Sequence, residues 1–151
     1  MSDVIATAET PVVVDADALP AADELDGVAG ASAPLILTPH PGEMARLLGC
    51  DTSAVQADRI GTARNAVTRT GATVVLKGHG TVVADSAGLT TINASGNPGM
   101  ASGGMGDVLA GLITGLLAQG IAPPDAARAA VYLHGRASDL AAWQSSQNGL
   151  I

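Results

Sequence analysis

Aromatic residues are nearly missing from this chain: there is no Phe, one Trp and one Tyr. Its core must therefore be assembled from Ala, Val, Leu and Ile. A base-stacking nucleic-acid module, which needs aromatic platforms, is not expected. Positive charge is also scarce. Seven Lys and Arg stand against fourteen Asp and Glu, a formal charge of −7, so a phosphate backbone is repelled on average. Any phosphate bound here must be held locally, by backbone N–H groups or a few placed cations. The single Cys50 excludes an intramolecular disulfide framework and fits a reducing compartment. Residues 1–10 carry Asp3 and Glu9 and no Lys or Arg, so they do not resemble a signal peptide. The longest uncharged apolar stretch, Val108 to Pro124, is interrupted by Gly111, Gly115, Gln119, Gly120 and two prolines. It falls short of the ~20 apolar residues a membrane span needs and reads as a buried helix. The expectation is a soluble, cytoplasmic protein without nucleic-acid or membrane partners.

What is present is apolar and small: 47% hydrophobic and 14% charged residues in 151. That composition rules out an acidic disordered tail and allows one ordinary domain. Val12-Val13-Val14 followed by Asp15-Ala16-Asp17 reads as a buried parallel strand with carboxylates at its C-terminal end. Residues 20–34 form a weak helix or loop, and Leu35-Ile36-Leu37 another buried strand. Thr38-Pro39-His40-Pro41-Gly42-Glu43 is expected to be a turn because of its two prolines, followed by a helix from Glu43 to Leu48 that Gly49 stops.

Ser53-x-x-Gln56 matches a capping box, and Ile60, Ala63 and Val67 recur at helical spacing with Arg59, Arg64 and Arg69 expected in solvent. Thr73 to Lys77 is the next strand, Gly78-His79-Gly80 a turn, and Thr81–Ala84 with Leu89–Ile92 a hairpin. A glycine-rich stretch over residues 93–106 has no periodicity. Asp107 then opens a helix apolar all round, expected to be buried on several sides. Pro123-Pro124-Asp125 opens a last helix, running to about Ala142. Strands alternating with helices, with carboxylates and glycines at strand ends, indicate an α/β layer fold with its site at the C-terminal sheet edge.

The glycine loop carries the strongest chemical signal. Gly103, Gly104 and Gly106 let the backbone approach a ligand closely, and the helix that follows starts with a partial positive charge. The two together make an anion hole. Asp107 beside bound phosphate costs repulsion unless it is a general base for a hydroxyl that attacks phosphorus. The plainer role is stabilisation of the first helical turn; the flanking glycines favour the base. Gly104-x-Gly106-x-x-x-Ala110 is only a weak dinucleotide fingerprint, because no strand directly precedes it. Lys77, the only lysine, precedes Gly78-His79-Gly80-Thr81 and suits a nucleotide contact, though a plain turn fits it as well. His40 and Glu43 are either ordinary helix-start residues or contacts to substrate and to a metal-bound water. His79 and His134 show no partner, no spacing suggests a zinc site, and Ser102 lacks a nucleophile-elbow context.

Four stretches together resemble one family. Residues 12–19 (VVVDADAL), 38–43 (TPHPGE), 76–81 (LKGHGT) and 96–111 (GNPGMASGGMGDVLAG) are similar to the NAD(P)H-hydrate dehydratases of the ribokinase-like superfamily, over about residues 11–143. The resemblance implies an enzyme, a hydro-lyase of metabolite repair that uses ADP or ATP with Mg²⁺ to dehydrate the hydrate of NADH or NADPH, by phosphorylating the hydroxyl and eliminating phosphate. It implies Asp107 as catalytic base, Asp107 and His40 on the hydrate, and Lys77, Gly78, His79, Gly80, Thr81 and Gly106 on the adenine nucleotide; it assigns no metal ligands. It implies an α/β, three-layer ribokinase-like fold with a mostly parallel central sheet, and self-association. Residues 1–151 are expected to form a partial domain, truncated at both ends, without the family's N-terminal strands. The alternatives are a kinase of the same superfamily acting on a vitamin-precursor alcohol, and an inert nucleotide-binding fragment.

Overall fold

The computed structural model describes residues 5, 7–21 and 24–144. Three short apolar runs form parallel strands: β1 (Val12–Val14), β2 (Leu35–Leu37) and β3 (Thr73–Leu76). Val13 lies opposite Ile36, and Ile36 opposite Thr73. An antiparallel pair follows, β4 (Val82–Ala84) and β5 (Thr90–Ile92), and the sheet runs β1-β2-β3-β4-β5. It is thus a mixed sheet, whose parallel half presents the C-terminal ends of β1, β2 and β3 side by side.

Among the described residues these helices cover it: α1 (Leu25–Ala29), α2 (Pro41–Leu48), α3 (Thr52–Ala57), α4 (Arg59–Thr70), α5 (Met105–Ala118) and α6 (Pro123–Gln144). Side chains alternate across the strands. Leu35, Leu37, Val74, Leu76, Val82 and Ala84 pack against α1 to α4, while Ile36, Val75 and Val83 pack against Leu109 and Ile113 of α5 and Ala127, Ala130 and Val131 of α6. The result is three layers, helix–sheet–helix. Small aliphatics fill both cores, as the lack of aromatics requires.

Several local expectations change. The turn at 38–43 becomes helix after Pro41, because proline is well placed at a first helical position and His40 caps the end. The capping box lies here and not at Ser53. His40 Nδ1 accepts from the backbone of Gly42 and Glu43, while Glu43 Oε2 accepts from the His40 N–H at 2.6 Å. Helix α3 instead follows Asp51, with no side-chain cap. Helix α4 starts at Arg59, capped by Asp58 and ended by left-handed Gly71.

Arg59 is not in solvent but reaches the end of β3. Helix α5 begins two residues before Asp107 and buries only Leu109 and Ile113; Val108 is 56% exposed. Among the described residues α5 packs chiefly on α6 and touches β1; Leu112, Leu116 and Leu117 are partly buried against that core, and Val108 is left exposed. Among the described residues no helix is long and apolar enough to cross a membrane. The expectations about Asp3 and about the tail beyond Gln144 lie outside the described residues.

Candidate functional site

The parallel strands deliver one polar group each to their C-terminal edge. Asp15 follows β1, Thr38 follows β2 and Lys77 follows β3. Lys77 Nζ donates to Asp15 Oδ1 at 2.6 Å, and Thr38 Oγ1 donates to the same oxygen at 2.7 Å. Thr38 is buried, and the Lys77 and Asp15 side chains are only 19% and 15% exposed. Burial pushes the Asp15 pKa up, but the bonds from Lys77 and Thr38 and the Lys77 charge outweigh it and hold this carboxyl below its ordinary range. Glu43 Oε2 stands 3.7 Å from the same ammonium.

The glycine loop meets this cluster from the other side. Gly104 is left-handed (φ 87°) and caps α5 without any side-chain hydrogen bond. Gly106 lies so close that a Cβ built on it would stand 3.5 Å from Lys77 Nζ and 3.6 Å from Asp15 Oδ2. The start of a 14-residue helix and the chain's only lysine therefore converge, two sources of positive potential beside the Asp15 carboxylate.

A cavity of about 690 Å³ opens at this point. Lys77, Gly78, His79, Gly80, Thr81 and Gly106 all line it, so six of the eight residues singled out by resemblance share one wall-to-wall space. Its lining continues through the segment from Ile92 to Ala101, together with Leu109, Val131, His134 and Gly135. Asn97 ties that segment to α6: its Nδ2 donates to Ser138 Oγ and Asp139 Oδ1, and the Gly96 N–H donates to Asp139 Oδ2.

Gly135 permits the close approach of α6, for a Cβ there would fall 2.8 Å from the Ser95 backbone. His134 is partly buried, which lowers its pKa and favours the neutral imidazole. Its Nε2 is among the buried atoms without a partner among the described residues.

The other two residues stand apart from the cavity lining. Asp107 is exposed on the first turn of α5, one residue beyond Gly106. His40 uses Nδ1 to cap α2, which places its proton on Nε2, 3.2 Å from Glu43 Oε1. Among the described residues no three His, Cys, Asp or Glu gather into a metal-binding group. Magnesium needs no such cage, since it usually rides on phosphate oxygens with one or two carboxylates. Sequence reasoning missed Asp15 and Thr38 as supports of Lys77, and missed the 92–101 wall. The signal for Asp15 was there: a carboxylate ending one parallel strand and the only lysine ending another.

A family model described as NAD(P)H-hydrate dehydratase matches residues 1–150. The chain belongs to the NAD(P)H-hydrate dehydratase family. It is 50% identical over 135 residues to the ADP-dependent (S)-NAD(P)H-hydrate dehydratase of Neisseria meningitidis, covering 87% of this chain and 46% of that protein. It is 46% identical over 152 residues to the bifunctional NAD(P)H-hydrate repair enzyme of Moorella thermoacetica, covering 100% of this chain and 29% of that one.

The crystal structure of the ADP/ATP-dependent NAD(P)H-hydrate dehydratase from Bacillus subtilis, co-crystallised with ATP/Mg²⁺, superposes with a TM-score of 0.87 at 36% identity. The match covers 99% of this chain and 52% of the other. A ribokinase-like superfamily protein of Enterococcus faecalis superposes with a TM-score of 0.77 at 32% identity, over 93% of this chain and 49% of that one. The chain thus spans about half or less of the relatives it matches, and its ribokinase-like α/β architecture is the corresponding part of theirs.

Proposed function

We propose that the protein carrying this chain dehydrates the hydrate of NADH or NADPH to the reduced nucleotide, consuming ADP or ATP. The observation that carries this reading is the convergence of Lys77, Gly106 and the uncapped start of α5 on one wall of a nucleotide-sized cavity, with Asp107 next in the chain. When bound, the nucleotide supplies the phosphoryl group, and Mg²⁺ neutralises its charge.

In this proposal Lys77, Gly78, His79, Gly80, Thr81 and Gly106 hold the nucleotide. Asp15 and Glu43 would hold Mg²⁺ through its water shell beside the phosphates. Lys77 and the amides at the start of α5 stabilise the charge that spreads over the transferring group. Asp107 takes the hydroxyl proton as the hydroxyl oxygen bonds to phosphorus and the bond to the nucleotide breaks. The phosphorylated oxygen then leaves as phosphate, the neighbouring ring carbon gives its proton to that phosphate or to water, and the ring double bond returns. His40, its ring held by the α2 backbone, presents its imidazole edge to the hydrate.

The test adds the hydrate, Mg²⁺ and ADP or ATP and follows reduced-nicotinamide absorbance. Absorbance should rise with at least one nucleotide. No rise from the folded protein with either sinks the proposal, and a stable phosphoester on a vitamin-precursor alcohol would move it to the kinase reading. Val108, exposed on α5 among the described residues, and a match that spans about half or less of its relatives favour a second reading for residues 1–151 by themselves, a nucleotide-binding piece without turnover. Calorimetry with ADP, run beside the absorbance assay, separates the two. The proposal also includes a cytoplasmic setting and association with further copies of the protein, for which exposed Tyr132, Leu133, Leu140 and Trp143 on α6 offer a surface; sedimentation tests the latter.

A further inference from the structure

The nucleotide-binding turn is built on one layer of the protein and clamped from the other. Arg59 opens α4, which packs on the sheet face opposite α5 and α6. Its Nη2 donates to the carbonyl of Leu76 at 3.0 Å and to that of Lys77 at 3.1 Å. Its Nη1 donates to Gln56 Oε1 at 3.0 Å, which steadies the guanidinium from α3. Gly78 (φ 127°) sits directly on this group: a Cβ there would meet Nη1 and Nη2 at 3.4 Å.

A planar trans peptide points its C=O and N–H in opposite directions, and the described chain contains no cis bond. With the Lys77 carbonyl held toward Arg59, the Gly78 N–H points away from that guanidinium and from α4. The cavity that Gly78 lines is bounded by α5 and α6, which pack on the sheet face opposite α4. The Lys77 backbone is fixed at its other end too, since its N–H donates to the Pro39 carbonyl at 2.8 Å.

We propose that Arg59 is a positioning residue: by gripping the Leu76 and Lys77 carbonyls it turns the Gly78 amide into the cavity and sets the conformation in which residues 77–81 receive a nucleotide phosphate. Arg59 does not itself reach the ligand. The inference rests on the proposed function, because it presumes that this turn binds the nucleotide. Lysine cannot replace the planar fork at two carbonyls and one amide oxygen together.

The test measures ADP affinity by calorimetry for the parent protein, Arg59→Ala, Arg59→Lys and the control Arg64→Ala, whose arginine bonds Thr90 Oγ1. Added guanidinium ion serves as a rescue of Arg59→Ala, and the Gly78 amide is followed by NMR. Arg59→Ala should weaken ADP binding by about tenfold or more. The Gly78 resonance should move, guanidinium should restore part of the affinity, and Arg59→Lys should fall between. Arg64→Ala should bind as the parent does.

If Arg59→Ala binds ADP like the parent, or loses affinity only in proportion to lost folded protein without guanidinium rescue, the positioning role is wrong while the proposed function stands. If Arg59→Ala does not fold, Arg59→Lys decides: unchanged affinity and an unmoved Gly78 amide overturn the role. If the parent binds neither ADP nor ATP, the function falls and the role of Arg59 falls with it.

Discussion

Gly106→Ala should improve the fold and damage the site, and the two effects can be read in one experiment. Position 106 is the second residue of α5, where alanine is preferred to glycine by about 0.5–1 kcal/mol. The backbone there is not left-handed, and the new methyl would make ordinary contacts of 3.5 Å and 3.6 Å with Lys77 and Asp15. Nothing in the fold has to move. For a domain of this size that gain raises Tm by about 1–4 °C.

The same methyl stands over the ammonium that a phosphate would reach, and making room for a ligand against it costs about 1.4–3 kcal/mol, tenfold or more in affinity. At an ADP concentration a hundred times the parent's Kd, ligand stabilisation of about 2.7 kcal/mol should fall to about 1.4 kcal/mol or less. Thermal unfolding with and without ADP measures both numbers. A variant that unfolds earlier than the parent, or one that keeps the full ADP shift, refutes the placement of phosphate against Gly106.

Gly135→Ala should act the other way. Its Cβ would overlap the Ser95 backbone at 2.8 Å, so α6 and the 92–101 wall must separate, at a cost of roughly 1–3 kcal/mol and with loss of the cavity's shape; chemical denaturation checks it, and a variant as stable as the parent contradicts it. Acid should destabilise the protein through Asp85 and Asp15. Burial opposes ionisation of both, yet the Arg128 bond and charge at Asp85, like Lys77 at Asp15, leave each carboxyl below its ordinary value. A depressed folded pKa means the unfolded chain takes up protons first. The stability is therefore present above about pH 4 and is lost as pH falls through the folded values. Asp85→Asn should flatten that slope in denaturation curves taken from neutral to acid pH; an unchanged slope would show that the pair with Arg128 contributes nothing.

How much of this was legible in the residues depends on the range of the interaction. Val12–Val14, Leu35–Leu37 and Thr73–Leu76 announce themselves because strands buried on both faces are continuous apolar runs. The cluster of Lys77 with the glycine loop was readable as chemistry, because an acidic chain that binds phosphate needs a placed cation and free amides. The long-range pairings were not readable. Asp15 meets Lys77 across 62 residues, and Asn97 meets Asp139 across 42. Only the folded sheet brings them together.

Arg59 looked like a solvated helix residue because its helical spacing says nothing about the two carbonyls beyond the end of β3. The α5 helix was misjudged for a related reason: an apolar surface predicts burial, but not which neighbours supply it.

The claim beneath the whole account is that Asp107 removes a proton while amides and Lys77 hold a phosphoryl group. The most direct measurement is turnover of NAD(P)H hydrate by Asp107→Asn, with ADP binding followed on the same sample. The amide keeps the shape and the helix but cannot accept the proton, so kcat should drop by about 10²–10⁴-fold while ADP still binds. Turnover at the parent's rate in a variant that binds ADP normally would contradict it.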